Sequence, residues 1–215
     1  MRKLFSVLSL TAPLVLLSGC GGTETTSTPV ASATPAPATS PTPTPTKAPT
    51  AFSTTVELHG VKFKVESPNS EANNKVTVTP SGLSVSNEPV TSDVNGDVYG
   101  AEIADLNVDQ SPEVYIYVRE RGGTKRASLI GYSANNKKSL SEISVPAIDP
   151  ASKEAAGLNG EDEFAVVENT LVRRFPLFEG TGDSAKKTGK FRQFDYKLRK
   201  GEATWVLYVM KVEEY

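Results

Sequence analysis

A single cysteine and a single histidine are all that this chain of 215 residues offers of the two side chains most used for nucleophilic relays and soft metal binding. One cysteine excludes an intrachain disulfide, and with it the stapled scaffolds of small exported domains. His59 would have to serve any Ser-His-Asp relay or histidine metal site alone. It stands beside Gly60 between two alternating segments and reads as an exposed turn residue. A Gly-x-Ser-x-Gly elbow, a phosphate-cradling glycine loop and a His-Glu-x-x-His pair are all missing. So is a surplus of positive charge. The formal net charge is −2, which argues against nucleic acid as a partner, because that needs a broad basic footprint. No cofactor is implied.

The chain also lacks an apolar run long enough to span a bilayer. The longest, Leu4 to Leu17, follows Arg2 and Lys3 and ends in Leu17-Ser18-Gly19-Cys20. This is the pattern of a bacterial lipoprotein signal, in which small residues fit the peptidase and the cysteine thiol takes the diacylglycerol. Residues 1–19 are therefore expected to be removed, and Cys20 to carry a lipid that anchors the protein to a membrane. Each buried CH₂ of the acyl chains contributes ~0.8 kcal/mol. Gly21 rather than Asp follows, which favours the periplasmic face of the outer membrane where an envelope has two membranes. Residues 20–53 then form a linker. Seven of the chain's 15 prolines fall between Thr23 and Ser53, among Thr, Ala and Ser. That composition cannot offset its ordering entropy and is expected to be a disordered stalk, with a reach of about 95 Å if extended as polyproline II.

What is present in quantity is period-two alternation. Residues 54–215 carry 20 basic and 24 acidic side chains and are long enough to bury a core unaided. "TVELHGVKFKVE" and "KVTVTPSGLSVS" each read as a strand pair. "VYGAEIADL", "EVYIYVRE", "RASLIGYS", "EFAVVE", "TLVRRFPLF", "FRQFDYKL" and "TWVLYVMKV" continue the series. The short connections leave no room for crossover helices. An all-β domain is expected, with a largely antiparallel sheet or sandwich of about eight to ten strands. One short helix is expected over "IDPASKEAAGLNG", with Asp149 as N-cap, Pro150 in the first turn and Gly157 as stop. Tyr115 and Tyr117 alternate with Val114 and Ile116, and core positions suit them better than sugar stacking.

Four groups of polar residues are candidate sites. In "DLNVDQSPE", Asp105, Asn107 and Asp109 repeat at every second position, as in calcium loops. The EF-hand glycine place holds Gln110, however, and the place of its bidentate acid holds Ile116, so a polar turn accounts for the segment equally. Glu161, Asp162 and Glu163 could supply a glycosidase carboxylate pair, though a surface charge cluster at a strand start suits them better. Asn135, Asn136, Lys137 and Lys138 form a tight turn with charge. Finally, Arg119, Arg121, Lys125 and Arg126 surround the glycine pair Gly122-Gly123. This is either a hairpin tip with solvated charges that protect a sheet edge, or a cationic finger for an acidic groove.

From Ala101 onward the blocks "AEIADLNVDQSPEVYIYV", "GYSANNKKSLSEI", "EDEFAVVENTLVRRFP" and "YKLRKGEATWVLYVMKVEEY" resemble, in order, the bacterial periplasmic inhibitors of invertebrate-type (I-type) lysozymes, the PliI family. The resemblance implies an exported, non-catalytic, β-rich protein that binds a lysozyme and plugs its active-site cleft with a loop. It implies that loop at Gly122 to Ala127. Where the family has a Ser-Gly segment and a tyrosine, this chain has Gly122-Gly123-Thr124-Lys125-Arg126. Lysozyme-type clefts carry two carboxylates, and a guanidinium fork paired with one of them contributes about 1.5–3 kcal/mol. Arg121, Lys125 and Arg126 would be the plug, and Gly122, Gly123 and Thr124 its tip. Two other readings stand beside this one: a lipoprotein of the same scaffold that binds an envelope glycan or protein without inhibiting, and a glycan hydrolase of unrecognised type. An edge-bearing sheet also permits a homodimer.

Overall fold

The computed structural model describes residues 50–122, 125–180 and 182–215. The expected signal, the lipidated Cys20 and most of the stalk lie outside them, as do Gly123 and Thr124 of the expected loop. Among the described residues there are twelve strands. β1 (Phe52–Leu58), β2 (Val61–Ser67), β3 (Lys75–Ser81) and β4 (Val90–Asp93) form a four-stranded antiparallel sheet in sequential order. The rest form one sheet: β5 (Asp97–Ala104), β6 (Glu113–Arg119), β7 (Ala127–Ser133), β8 (Ser141–Ser144), β9 (Glu163–Val167), β10 (Thr170–Glu179), β11 (Lys186–Lys200) and β12 (Trp205–Glu214). Their order is β5-β6-β7-β8-β12-β11-β10-β9, antiparallel except for the β8–β12 pair.

The all-β, largely antiparallel expectation holds, with three local differences. The first strand starts at Phe52, two residues ahead of the expected boundary at Thr54. "GLSVS" is not a strand. Ser84, Val85 and Ser86 instead donate their N–H groups to the carbonyls of Lys137 and Lys138. The expected helix at Asp149–Gly157 is a single 3₁₀ turn, Lys153–Ala155. Asp149 does cap, but it accepts from Ala151 N at 2.9 Å in a local turn, and Ser152 Oγ accepts from Ala155 N. Gly157, at φ 78°, then turns the chain so that its carbonyl accepts from Phe178 N. Too few residues remain between the two caps for an α-helix to nucleate.

β6 explains the arrangement of the core. It is the second strand from one end of the eight-stranded sheet, yet it is buried on both faces. Val114, Ile116 and Val118 face the four-stranded sheet and pack with Val61, Phe63, Val65, Val76 and Val78 in an aliphatic core. Tyr115 and Tyr117, of opposite parity, face into the curl of the larger sheet. There they join Leu171, Phe175, Phe194, Tyr196, Leu198 and Leu207 in an aromatic core, as expected. Each fully buried large side chain contributes roughly 1.5–3 kcal/mol. At Gly100 a Cβ would stand 3.0 Å from the Tyr117 ring, so the missing side chain makes the space that tyrosine fills.

The larger sheet curls until its two edges, β5 and β9, meet without strand pairing. Val166 N donates to Glu102 Oε2 at 2.7 Å, and the same carboxylate accepts from the Tyr117 hydroxyl. The Tyr117 ring stacks on Phe164 at 5.8 Å. The result is a near-barrel whose seam is bridged by a side chain.

Candidate functional site

The two candidate sites with most chemistry lie at opposite ends of β6. At its far end the chain passes through Arg119 into the cationic loop and returns at Ala127. The base of this loop is fastened at several points. Arg119 Nη1 donates to the Lys125 and Asp162 carbonyls, both at 2.7 Å, and its guanidinium lies 4.7 Å over the Tyr99 ring. Glu120 N donates to Arg126 O, and Glu161 N to Lys125 O. Gly96 allows the close packing beneath, since a Cβ there would fall 2.2 Å from the Arg119 carbonyl.

Arg121 departs from the expected role. Its guanidinium folds back onto its own domain, pairing with Asp97 and donating to Glu71 O at 2.7 Å and Asn69 O at 3.0 Å. Asn69 is itself held in a buried network with Ser67, Asn74 and Val98. A guanidinium facing two carbonyls and a carboxylate has its donor geometry filled locally, so Arg121 is a fastener and not a free cation. Lys125 and Arg126 differ. Both are exposed, and neither side chain makes a hydrogen bond or ion pair among the described residues. Lys125 has φ 49°, a turn conformation that carries the chain out from the strand.

The three consecutive acids near this end, Glu161, Asp162 and Glu163, are all paired. Asp162 is fully buried and accepts from Arg173 through Nε at 3.0 Å and through Nη2. Glu163 pairs with Arg174 at 3.0 Å and Glu161 with Lys187 at 2.6 Å. The Lys187 ammonium holds the Glu161 carboxyl below its usual range. These contacts tie the trio to basic partners, but only Glu161 and Glu163 fit the surface cluster expected at a strand start, since Asp162 is fully buried. Beside it a cleft of about 580 Å³ runs between Tyr99, Arg119, Phe164 and Arg174.

The near end of β6 is acidic. Asp105 Oδ1 and Oδ2 accept from the N–H groups of Asp109 and Gln110 at 3.0 and 2.9 Å. Asp109 Oδ1 accepts from Ser111 N at 2.8 Å. Val108 and Gln110 both adopt left-handed backbone, so Gln110 supplies the bend for which a glycine would be chosen. Asp105, Asp109 and Glu113 each offer an oxygen within 4.8 Å of the others. His59 does not stand idle in its turn, since its Nε2 lies 3.4 Å from Asp105 Oδ2. Glu113 was not foreseen as part of this group. It shares the parity of Tyr115 and Tyr117, so the alternation that buries them buries it too, and that was the available signal. Burial pushes its carboxyl up to about 8, with the nearby Asp105 and Asp109 charges adding to the rise. Tyr115, next inward, has its hydroxyl pushed well up by burial and then by Glu113.

The turn of Asn135 to Lys138 is used internally. Asn136 and Lys137 are left-handed, Lys137 Nζ donates to His59 O at 2.9 Å, and Asn135 Oδ1 accepts from Trp205 Nε1 at 2.7 Å. No helix among the described residues is long and apolar enough to cross a membrane. Comparison with family models, curated proteins and solved structures returned no match for this chain.

Proposed function

We propose that the protein is an envelope-anchored lipoprotein that binds and inhibits a lysozyme, of the invertebrate type, by presenting the β6–β7 loop to its active-site cleft. The single observation that carries this reading is the division of labour among four cations. Arg119 and Arg121 fix the base of the loop, while Lys125 and Arg126 are exposed at its descending side and unpaired among the described residues. A loop whose base is fixed before binding loses less conformational entropy on docking, which favours affinity. Its two free cations match the two carboxylates of a glycosidase cleft. Gly122 and Gly123 allow close backbone approach. The plug of this proposal is accordingly Lys125 and Arg126, with Arg121 behind them.

The test is inhibition of an I-type lysozyme by micromolar protein, with chicken- and goose-type enzymes as controls. A Lys125→Ala/Arg126→Ala variant is expected to lose at least tenfold in inhibitory potency with unchanged thermal stability. Absence of inhibition by the unaltered protein would remove the proposal. The anchor is tested separately, since Cys20→Ala should abolish fatty-acid labelling. The alternative, a glycan-binding lipoprotein of the same scaffold, is favoured by a second cleft of about 400 Å³. Trp205, Asn135, Asn136 and Glu202 line it, a mixture of ring and amide groups suited to a sugar. Retention of peptidoglycan fragments without inhibition would select that alternative.

A further inference from the structure

We propose that Asp105, Asn107, Asp109 and Glu113 form a calcium site that organises the β5–β6 connection. The proposal does not rest on the lysozyme reading. Three carboxylates converge here, with ligand oxygens within 4.8 Å of one another, and no Lys or Arg pairs with any of them among the described residues. The neighbouring His59 touches Asp105 alone. Asp105 and Glu113 are both buried, Glu113 completely. The one other buried carboxylate among the described residues, that of Asp162, is paired with Arg173. Convergent buried anions without a cation are costly, and the usual remedies are protonation or a metal.

A second observation points to the metal. Glu113 Oε2 accepts from Leu106 N at 3.0 Å, but Glu113 Oε1 is buried and accepts nothing. Ser133 Oγ lies close enough to this carboxyl to draw its pKa down, yet neither Ser133 Oγ nor Glu113 Oε1 has a partner in good hydrogen-bond geometry. Asn107, which is not an acid, shows the same feature. Its Nδ2 donates to Asp109 Oδ2 at 2.8 Å, which fixes the amide, and its Oδ1 is buried with no donor facing it. One buried oxygen within the carboxylate cluster and one amide oxygen of the same loop thus accept no hydrogen bond, and a cation that takes oxygen ligands would satisfy both.

The donor set decides the ion. Carboxylate and amide oxygens with no thiolate exclude a preference for zinc or copper and suit a hard divalent cation. Calcium, at 2.3–2.6 Å from each oxygen, spans opposite ligands up to roughly 5 Å apart, so this cluster needs little rearrangement to hold it. Magnesium, at 2.0–2.1 Å, would require contraction to an octahedron. Asp109 is exposed, and it leaves a route for entry and room for water to complete the shell. His59 Nε2, 3.4 Å from Asp105 Oδ2, stands behind that ligand, where outer groups of metal sites are found.

The full chain, stripped with EDTA and dialysed, is titrated with CaCl₂ and separately with MgCl₂ by calorimetry, and its melting temperature is recorded. One calcium ion per chain is expected, with a dissociation constant in the range of extracellular modules, about 10⁻⁴–10⁻³ M or tighter. At a hundredfold excess over that constant the melting temperature should rise by roughly 5–10 °C. Asp109→Asn, at an exposed position, should fold normally in EDTA yet bind at least tenfold more weakly. Glu113→Gln should lose both the heat of binding and the thermal shift. A folded, stripped protein that gives neither heat nor shift at 10 mM calcium overturns the proposal, as does an Asp109→Asn variant of undiminished affinity. Equal affinity for magnesium would overturn the choice of ion.

Discussion

The two ends of β6 handle charge in opposite ways. At the Arg119 end, guanidinium groups reach backward to carbonyl oxygens and to Asp97, so their charge is spent within the domain. At the Glu113 end, carboxylates point at one another, and two acceptor oxygens face no donor. Charge that is locally complete shapes a surface without inviting a partner. Charge that is locally incomplete invites one, and the incomplete groups here are Lys125 and Arg126 on one side and the acidic cluster on the other.

The comparison breaks most severely at Asp162, the buried acid that completes the basic end. Asp162→Ala would leave Arg173 without its carboxylate partner and remove the acceptor facing Ala127 N. A loss of about 3 kcal/mol or more is expected in urea denaturation, the usual cost of breaking a buried pair from one side. The acidic end should show its strain in a pH series recorded in EDTA. With its carboxyl raised to about 8, Glu113 binds a proton in the folded state over a range where the unfolded chain has lost it. Its stabilising contribution is therefore complete below about pH 4.5 and declines as pH rises to about 8, by up to ~1.4 kcal/mol per pH unit. Glu113→Gln should flatten that decline, and an unchanged slope would locate it elsewhere.

Smaller effects sharpen the contrast. Arg119→Ala removes two charge-assisted hydrogen bonds and the contact over Tyr99. About 2 kcal/mol of stability should be lost, and inhibitory potency should fall even though the exposed cations are untouched. Arg121→Ala should cost stability by about 1 kcal/mol and spare inhibition, because the guanidinium already faces its own domain. A larger effect of Arg121→Ala on inhibition than of the Lys125→Ala/Arg126→Ala pair would reverse the assignment of roles. Smallest is Tyr117→Phe, which removes one donor to Glu102 and leaves Val166 N in place, for about 1 kcal/mol in chemical denaturation.

Strands of strong alternation were legible because parity alone decides burial. "EVYIYVRE" divides into aliphatic and aromatic faces from its alternation alone. β4, "VTSD", and β8, "SEIS", were not foreseen, since four mostly polar residues carry no period and their pairing partners decide them. The helix expected after Asp149 followed composition and caps correctly, but Gly157 engages Phe178 too soon for a second turn. At the sites, residue type was visible and direction was not. Arg121 looked equivalent to Arg126 in the sequence, and only the approach of Asp97 and Asn69 separates them. The first three members of the acidic group were visible by their spacing. Glu113 escaped because it belongs to the following strand, where its parity reads as a core position.

The seam of the near-barrel carries a mechanical implication. Elsewhere neighbouring strands share a ladder of backbone bonds, but β5 and β9 are joined through side chains, the Glu102 carboxylate among them, with Tyr117 of β6 stacked on Phe164 behind it. A wall stitched everywhere except along one line parts along that line first. The Val166 amide should therefore exchange its hydrogen well before those of β6, and a pair of cysteines placed across the gap would stiffen the whole fold more than any pair placed within it.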